Sequence, residues 1–113
     1  MSTAPVATLS IEKLAGLLRE RQLSPVELTQ AMLSRIENHN PTLNAYLSLL
    51  PEQALAEARE AERAIGAGQY RGPLHGIPVS VKDLFYTRGV RTTAGSKIFA
   101  GFIPEHDATV VER

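Results

Sequence analysis

The sequence contains no cysteine in its 113 residues. This absence excludes disulfide bonds, catalysis by a cysteine thiolate and zinc sites built from cysteine. An excess of one charge is lacking as well, because 12 Lys and Arg residues balance 12 Asp and Glu residues. Affinity for nucleic acid depends mainly on a basic surface that neutralises phosphates, and this composition does not indicate one.

Long apolar runs are also absent. Nowhere do about 18 apolar residues follow one another, the length that a helix needs to cross a bilayer. The first ten residues lack the basic start and apolar middle of a signal peptide. The composition, with 43% hydrophobic and 21% charged residues, is that of a globular domain. We therefore expect a soluble, cytoplasmic protein without a membrane partner.

Signals for helix starts divide the first part of the chain. After a mobile tail over residues 1–9, Ser10 is a suitable N-cap for a helix that ends near Arg21. Its expected apolar face comprises Ile11, Leu14, Ala15, Leu17 and Leu18. Ser24 starts a second helix, because a proline and a capping-box acid follow it at the expected spacing.

Proline and glycine delimit the next helices. Pro41 disfavours helical geometry in the residue before it, so the second helix is expected to end near Asn38. Pro51 then opens an alanine-rich helix that ends near Ile65, with Gly66 as its stop. A seam of mostly small residues on this helix predicts close packing: Ala54, Ala58, Ala61 and Ile65.

Two segments show the two-residue alternation of a half-buried strand. One covers residues 42–49, and its apolar positions are Leu43, Ala45, Leu47 and Leu49. The other covers residues 77–82, and its apolar positions are Ile77, Val79 and Val81. Helices alternating with strands predict an α/β fold in which helices pack on a mixed sheet.

Several nominal motifs are better explained by structure than by chemistry. The glycines after the third helix miss the spacing of a dinucleotide-binding loop, and no strand precedes them. Ser10 and Lys13 match a serine–lysine spacing of penicillin-recognising enzymes, but the companion motifs are missing. The three histidines lie far apart in the sequence. We therefore expect neither a cofactor nor a metal.

The first two helices raise the alternative of a helix-turn-helix that binds DNA. Residues 1–40 contain four basic and four acidic side chains, so their net charge is zero. A recognition helix usually carries positive charge, and Glu27 and Glu37 would face or flank the phosphates. We therefore expect no nucleic-acid partner, and a salt-titrated binding assay tests this expectation.

Lys82 ends the second alternating segment and is the main candidate for chemistry. The apolar side chains of this segment occupy odd positions, so Lys82 would emerge from the opposite face beside Ser80. Most lysines at the end of a strand are simply solvated. A lysine base also needs an enclosed site, because an unperturbed lysine has a pKa of about 10.4 and is protonated at pH 7.

Three sequence strings surround or follow Lys82: GPLHGIPVSVKD at residues 72–83, TTAGS at residues 92–96 and DATVV at residues 107–111. In this order they resemble the N-terminal part of the amidase signature family, and the resemblance covers the chain from about Ser10. Members of that family hydrolyse or transfer amide groups with a serine nucleophile, a second serine in a cis peptide and a lysine base. The resemblance assigns the general-base role to Lys82. The TTAGS string resembles the corresponding sequence of general amidases more than that of the amidotransferase component that amidates misacylated tRNA.

The glycine- and serine-rich signature of that family has no counterpart in this sequence. Ser80 and Ser96 do not lie in such a segment, so neither is assigned as the nucleophile. The resemblance implies that residues 10–113 form the N-terminal portion of an amidase-like domain with an incomplete fold. Without a nucleophile and oxyanion donors, the chain is expected to be inactive on its own.

Besides nucleic-acid binding, two hypotheses about function remain at this point. In the first, the chain contributes Lys82 to the hydrolysis of a carbon–nitrogen bond in a small-molecule amide, and missing regions complete the site. In the second, the chain is a noncatalytic α/β interaction module derived from the amidase fold. The sequence does not predict the oligomeric state.

Overall fold

The computed structural model describes residues 6–113. The chain divides into two compact units, one that ends at Pro78 and one that spans Val79–Arg113, which we call the helical unit and the loop unit. The helices are α1 (Ile11–Arg19), α2 (Pro25–Leu43) and α3 (Pro51–Gly66) in the helical unit, and α4 (Thr109–Glu112) in the loop unit. No helix within residues 6–113 is long and apolar enough to cross a membrane.

Helix α1 begins where the sequence predicts and ends two residues early. Ser10 caps it by accepting a hydrogen bond from the backbone N–H of Lys13 at 3.2 Å. The helix ends at Arg19 because Arg21 adopts a left-handed conformation with φ of 59°. The backbone N–H of Arg21 donates to the Leu18 carbonyl at 3.1 Å, which closes the helix end.

Helix α2 continues past the proline that was expected to end it. Pro41 lies inside the helix, which extends to Leu43 and closes at Asn44 with φ of 52°. A preceding residue can keep helical geometry before proline at some steric cost. Here the backbone N–H of Asn44 donates to the Asn40 carbonyl at 2.7 Å, so the last turn keeps a hydrogen bond. The predicted end near Asn38 is therefore wrong.

Helix α3 confirms the predicted start at Pro51 and packs against α2. Three members of the predicted seam are buried: Ala58, Ala61 and Ile65. Ala54 is half-buried. The helix ends at Gly66, but the left-handed residue after it is Gly68, with φ of 82°. Gly68 donates its N–H to the Ile65 carbonyl at 3.1 Å. The helix thus ends within one residue of the predicted Ile65, but the left-handed glycine after it is Gly68 rather than Gly66.

The core of the helical unit is formed by Val6, α1, the turn after α1 and the first half of α2. Its buried residues are Val6, Leu14, Leu18, Leu23, Leu28 and Ala31. Ile11, which was expected on the apolar face of α1, is 54% exposed. Val6 belongs to the segment predicted as a tail, and residues 1–5 of that segment lie outside the described residues. The division into a mobile tail and a domain from residue 10 stays a prediction.

The segment after α3 passes close to α1 and α2 at Gly76. Gly76 has φ of 86°, a conformation that side chains other than glycine rarely adopt. A Cβ atom at this position would lie 3.0 Å from Pro25 Cγ and 3.5 Å from Leu18 Cδ1. Ile77 packs against the core immediately afterwards. Gly76 therefore allows the backbone to approach the two helices closely.

No sheet forms within residues 6–113, so the predicted α/β fold with helices on a mixed sheet is wrong. Residues 42–43 belong to the end of α2, and residues 44–50 are irregular. Residues 77–82 are irregular as well. Within residues 6–113, the β-type pairing is a single isolated bridge between Thr87 and Val90.

The alternating segments fail as strands because nothing in the described chain pairs with them. Alternation indicates which side chains a strand would bury, but the strand also needs a neighbour for its backbone groups. Leu47 is 62% exposed and Val79 is 74% exposed, and Ile77 packs against the helical core rather than against a strand. The Asn40 side chain instead accepts from the Tyr46 N–H at 2.9 Å and donates to the Tyr46 carbonyl at 3.1 Å.

Replacing Ser24 with alanine is expected to lower the free energy of unfolding of the helical unit by about 1–2 kcal/mol. Ser24 Oγ accepts from the Val26 N–H at 3.0 Å, and the hydroxyl donates to Glu62 Oε1 on α3 at 2.6 Å. Alanine would lose both the helix cap and the link to α3. Urea denaturation measures the change, with Ser34→Ala at an exposed position of α2 as the control. Equal stabilities of the two variants would contradict the expectation.

Candidate functional site

Lys82 lies in the loop unit, on a turn that its own carbonyl closes. This carbonyl accepts hydrogen bonds from the backbone N–H of Leu84 at 2.7 Å and of Phe85 at 3.1 Å. The Lys82 side chain is exposed. A lysine that accepts a proton near neutral pH needs an enclosed, desolvated environment. The described residues thus fix the backbone of Lys82 but do not enclose its amino group.

Asp83, the next residue, binds a turn formed by residues 93–95. Its Oδ1 accepts from the Thr93 N–H at 2.8 Å, and its Oδ2 accepts from the Thr93 hydroxyl. Its carbonyl accepts from the Ala94 N–H at 2.7 Å. We call these contacts of Asp83 with Thr93 and Ala94 the Asp83 clasp. The hydrogen bond from the Thr93 hydroxyl is the main cause that holds the pKa of the Asp83 carboxyl below its ordinary value.

Backbone hydrogen bonds join the two halves of the loop unit. The Thr92 N–H donates to the Phe102 carbonyl at 3.0 Å, and the Ala108 N–H donates to the Tyr86 carbonyl at 2.7 Å. Asp107 contributes a side-chain contact, because its Oδ1 accepts from the backbone N–H of residue 88 at 2.7 Å. Helix α4 follows Ala108 without a side-chain cap.

Aromatic rings form the main side-chain cluster of the loop unit. The Tyr86 ring centroid lies 5.2 Å from that of Phe102 and 5.3 Å from that of His106, and Phe99 meets Phe102 at 6.0 Å. This cluster remains accessible, since Tyr86 is 38% exposed and Phe99 is 47% exposed. Rings of this kind pack or bind apolar groups.

The structure therefore joins Asp83, the neighbour of Lys82, to partners that the sequence patterns did not reveal. Asp83 and Thr93 are ten positions apart, and no short motif links a carboxylate to a threonine over that distance. The available signal was local: the Thr93, Ala94 and Gly95 sequence is typical of a turn, and Asp83 is a good hydrogen-bond acceptor. Ser96 accepts from the Ile98 N–H at 3.2 Å, which is a contact within its own turn.

Known proteins similar to this chain are amidases and amidotransferase components. The chain is 50% identical over 105 residues to a glutamyl-tRNA(Gln) amidotransferase subunit of Geobacter metallireducens. This alignment covers 93% of the present chain and 21% of that subunit. It is 47% identical over 108 residues to the putative amidase AmiD of Mycobacterium tuberculosis, covering 96% of this chain and 23% of that protein. Relatives of both kinds match closely, so the assignment to general amidases stays a prediction.

A family model described as Amidase matches residues 27–113, a region that includes both Lys82 and the Asp83 clasp. This match covers most of the chain, and it includes the three strings that suggested the resemblance. The chain spans about a fifth of the length of the two relatives, 21% and 23% respectively. Because the family model and both relatives cover most of its residues, the chain belongs to the amidase family.

Proposed function

We propose that this chain supplies the lysine-bearing part of an amidase that hydrolyses the carbon–nitrogen bond of a small-molecule amide. The observation that carries the proposal is the position of Lys82 within the family match over residues 27–113. Its exposed side chain is available to a site that other polypeptide segments complete. Its backbone is fixed by hydrogen bonds from Leu84 and Phe85.

In the proposed reaction, Lys82 acts as the general base. Its neutral amine accepts a proton that leaves a serine hydroxyl, directly or through a second serine, and the serine oxygen bonds to the amide carbon. The carbon–nitrogen bond then breaks, and the nitrogen leaves with a proton returned from the lysine. Water hydrolyses the acyl-serine in the same manner, which releases the acid and regenerates the hydroxyl.

The same proposal holds that the 113 residues do not catalyse hydrolysis alone. The sequence contains no glycine- and serine-rich segment to provide a nucleophile and oxyanion donors. Lys82 is also exposed, so the described residues do not form the enclosed site that a lysine base needs. Other segments of an amidase domain must therefore supply both the serines and the enclosure.

Reconstitution with a relative tests this function. The full chain is co-expressed with AmiD from which the segment that matches this chain has been removed, and ammonia release from acetamide and benzamide is measured. We expect activity from the combination and none from either component. Turnover by the 113-residue chain alone, abolished by Lys82→Ala, would contradict the proposed dependence on other segments.

A noncatalytic interaction module is the second candidate, and the exposed apolar side chains of the loop unit favour it. Ile98 is 89% exposed, Val79 is 74% exposed and Ile103 is 57% exposed. Tight binding of the chain to truncated AmiD without ammonia release, unaffected by Lys82→Ala, would support this candidate over the enzyme. The cytoplasmic location and the absence of a nucleic-acid partner remain predictions.

A further inference from the structure

The turn at residues 93–95, which the Asp83 clasp binds, has an unfavourable backbone conformation. Two successive residues have positive φ, 51° at Ala94 and 69° at Gly95. Glycine adopts this conformation freely, whereas alanine meets a steric clash between its Cβ and the backbone. Such a conformation persists where surrounding contacts determine it. The turn has its own hydrogen bond from the Ser96 N–H to the Thr93 carbonyl at 2.9 Å, and Asp83 adds the contacts that tie the turn to the segment at Lys82.

These contacts are of a strong kind, because the acceptor is a carboxylate. Hydrogen bonds to an ionised acceptor are stronger than those between neutral groups. Asp83 accepts one from the Thr93 N–H and one from the Thr93 hydroxyl. The same hydroxyl oxygen accepts from the Gly95 N–H at 3.2 Å, so it connects the carboxylate to the far side of the turn.

The clasp also fixes the chain on the C-terminal side of Lys82. The Lys82 carbonyl accepts from two N–H groups of the following turn, and the Asp83 carbonyl accepts from the Ala94 N–H. The peptide groups before and after Asp83 are thus both held. A base must be placed accurately against the proton that it removes, and a displacement of about 1 Å can cost about 100-fold in rate.

We propose, on the basis of the function proposed above, that Asp83 is a positioning residue that holds the Lys82 backbone against the turn at residues 93–95. Asp83 does not touch the reacting atoms in this role. It acts through the peptide group that it shares with Lys82. Thr93 is its partner, because it supplies both donors to the carboxylate.

Acidification is expected to open the clasp. The Thr93 hydroxyl, the N–H groups of Thr93 and Gly95, and the charge of Arg91 all hold the pKa of Asp83 below its ordinary value. The ionised carboxylate therefore stabilises the clasp at pH values above that ordinary value. This stabilisation is lost as the pH falls through the lowered pKa. The Thr93 amide proton shift, followed by NMR, reports the change.

Backbone ¹⁵N relaxation of the full 113-residue chain tests the inference directly. In the unmodified chain, we expect order parameters near about 0.85 at Lys82 and Thr93, as in rigid backbone. Asp83→Ala should lower both below about 0.6. Thr93→Val, which removes the hydroxyl, should give an intermediate loss, and Thr93→Ser should restore the unmodified values. Unchanged order parameters at Lys82 in Asp83→Ala would overturn the proposal.

Asp107→Ala is the matched control for the loop unit. Asp107 also accepts a backbone N–H, that of Arg88 at 2.7 Å, but it is remote in sequence from Lys82. Its replacement should loosen Arg88 and leave the Lys82 order parameter unchanged. An equal loss at Lys82 in both aspartate variants would show general loosening of the unit and would overturn the specific role of Asp83.

The kinetic arm uses the reconstituted amidase. Asp83→Ala should lower kcat by about 10–100-fold with little change in KM, and Thr93→Ser should retain activity. Normal kcat in Asp83→Ala, while Lys82→Ala is inactive, would refute the positioning role and leave the proposed function intact. Activity that does not depend on Lys82 would refute the proposed function, and so would the absence of activity in every mixture. In either case the relaxation measurement alone decides whether Asp83 holds the Lys82 backbone.

Discussion

Replacing Lys82 with alanine is expected to lower kcat of the reconstituted amidase by about 10²–10⁴-fold, the usual contribution of a general base. Alanine cannot accept the proton of the serine hydroxyl, so the nucleophile stays weak. KM should change little, because Lys82 is not proposed to bind the amide. Initial rates of ammonia release over a range of acetamide concentrations separate the two constants.

Lys97→Ala is the matched control for this substitution. Lys97 is also exposed and also lies in the loop unit, but it is 15 positions further along the chain, so its removal changes the net charge equally. We expect unchanged kcat in Lys97→Ala. Equal activities of the two lysine variants would contradict the assignment of Lys82 as the base.

Replacing Gly76 with alanine is expected to lower the free energy of unfolding of the helical unit by about 2–4 kcal/mol. The φ of 86° is unfavourable for alanine, and the new Cβ would lie 3.0 Å from Pro25 Cγ and 3.3 Å from Pro25 Cβ. The Pro25 ring lies at the buried start of α2 and has little freedom to move. Urea denaturation followed by circular dichroism at the helix band measures the loss.

Gly16→Ala gives the opposite expectation with the same chemical change. Gly16 lies inside α1, and a Cβ there would meet nothing within 4 Å. Alanine should therefore raise the free energy of unfolding by about 0.5–1 kcal/mol, because it restricts the unfolded chain and favours helix. Destabilisation of similar size in both variants would contradict the steric role of Gly76.

The helices were predictable because their signals are local. Ser10, Ser24 and Pro51 mark helix starts through contacts or geometry that involve only the next few residues. The helix ends were less predictable. Pro41 was expected to stop α2, yet the last turn keeps its hydrogen bond from the Asn44 N–H to the Asn40 carbonyl, so the helix continues past the proline to Leu43.

The sheet could not be predicted from the alternating segments, since a strand depends on a partner that the pattern does not contain. Residues 42–49 and 77–82 have the side-chain order of strands. In residues 6–113 their backbones find no neighbouring strand, and their apolar side chains are largely exposed. Alternation therefore indicates a face that can be buried, and the fold depends on what covers it.

Part of the candidate site was predicted from the family resemblance, and part became visible only in the three-dimensional structure. Lys82 was assigned through the strings around it, which need no three-dimensional information. Asp83 and Thr93 were missed because their contact joins positions ten residues apart through a turn with two left-handed residues. Single-residue preferences indicate that a turn is present there, but not which carboxylate it binds.

The most direct test of the proposed function is a titration of purified truncated AmiD with the purified 113-residue chain, with ammonia release from acetamide as the readout. We predict no turnover by either component alone. We also predict a rate that rises with chain concentration and saturates when all of the truncated AmiD is bound. Complex formation without turnover at any chain concentration would contradict the claim that this chain supplies the base of an amidase.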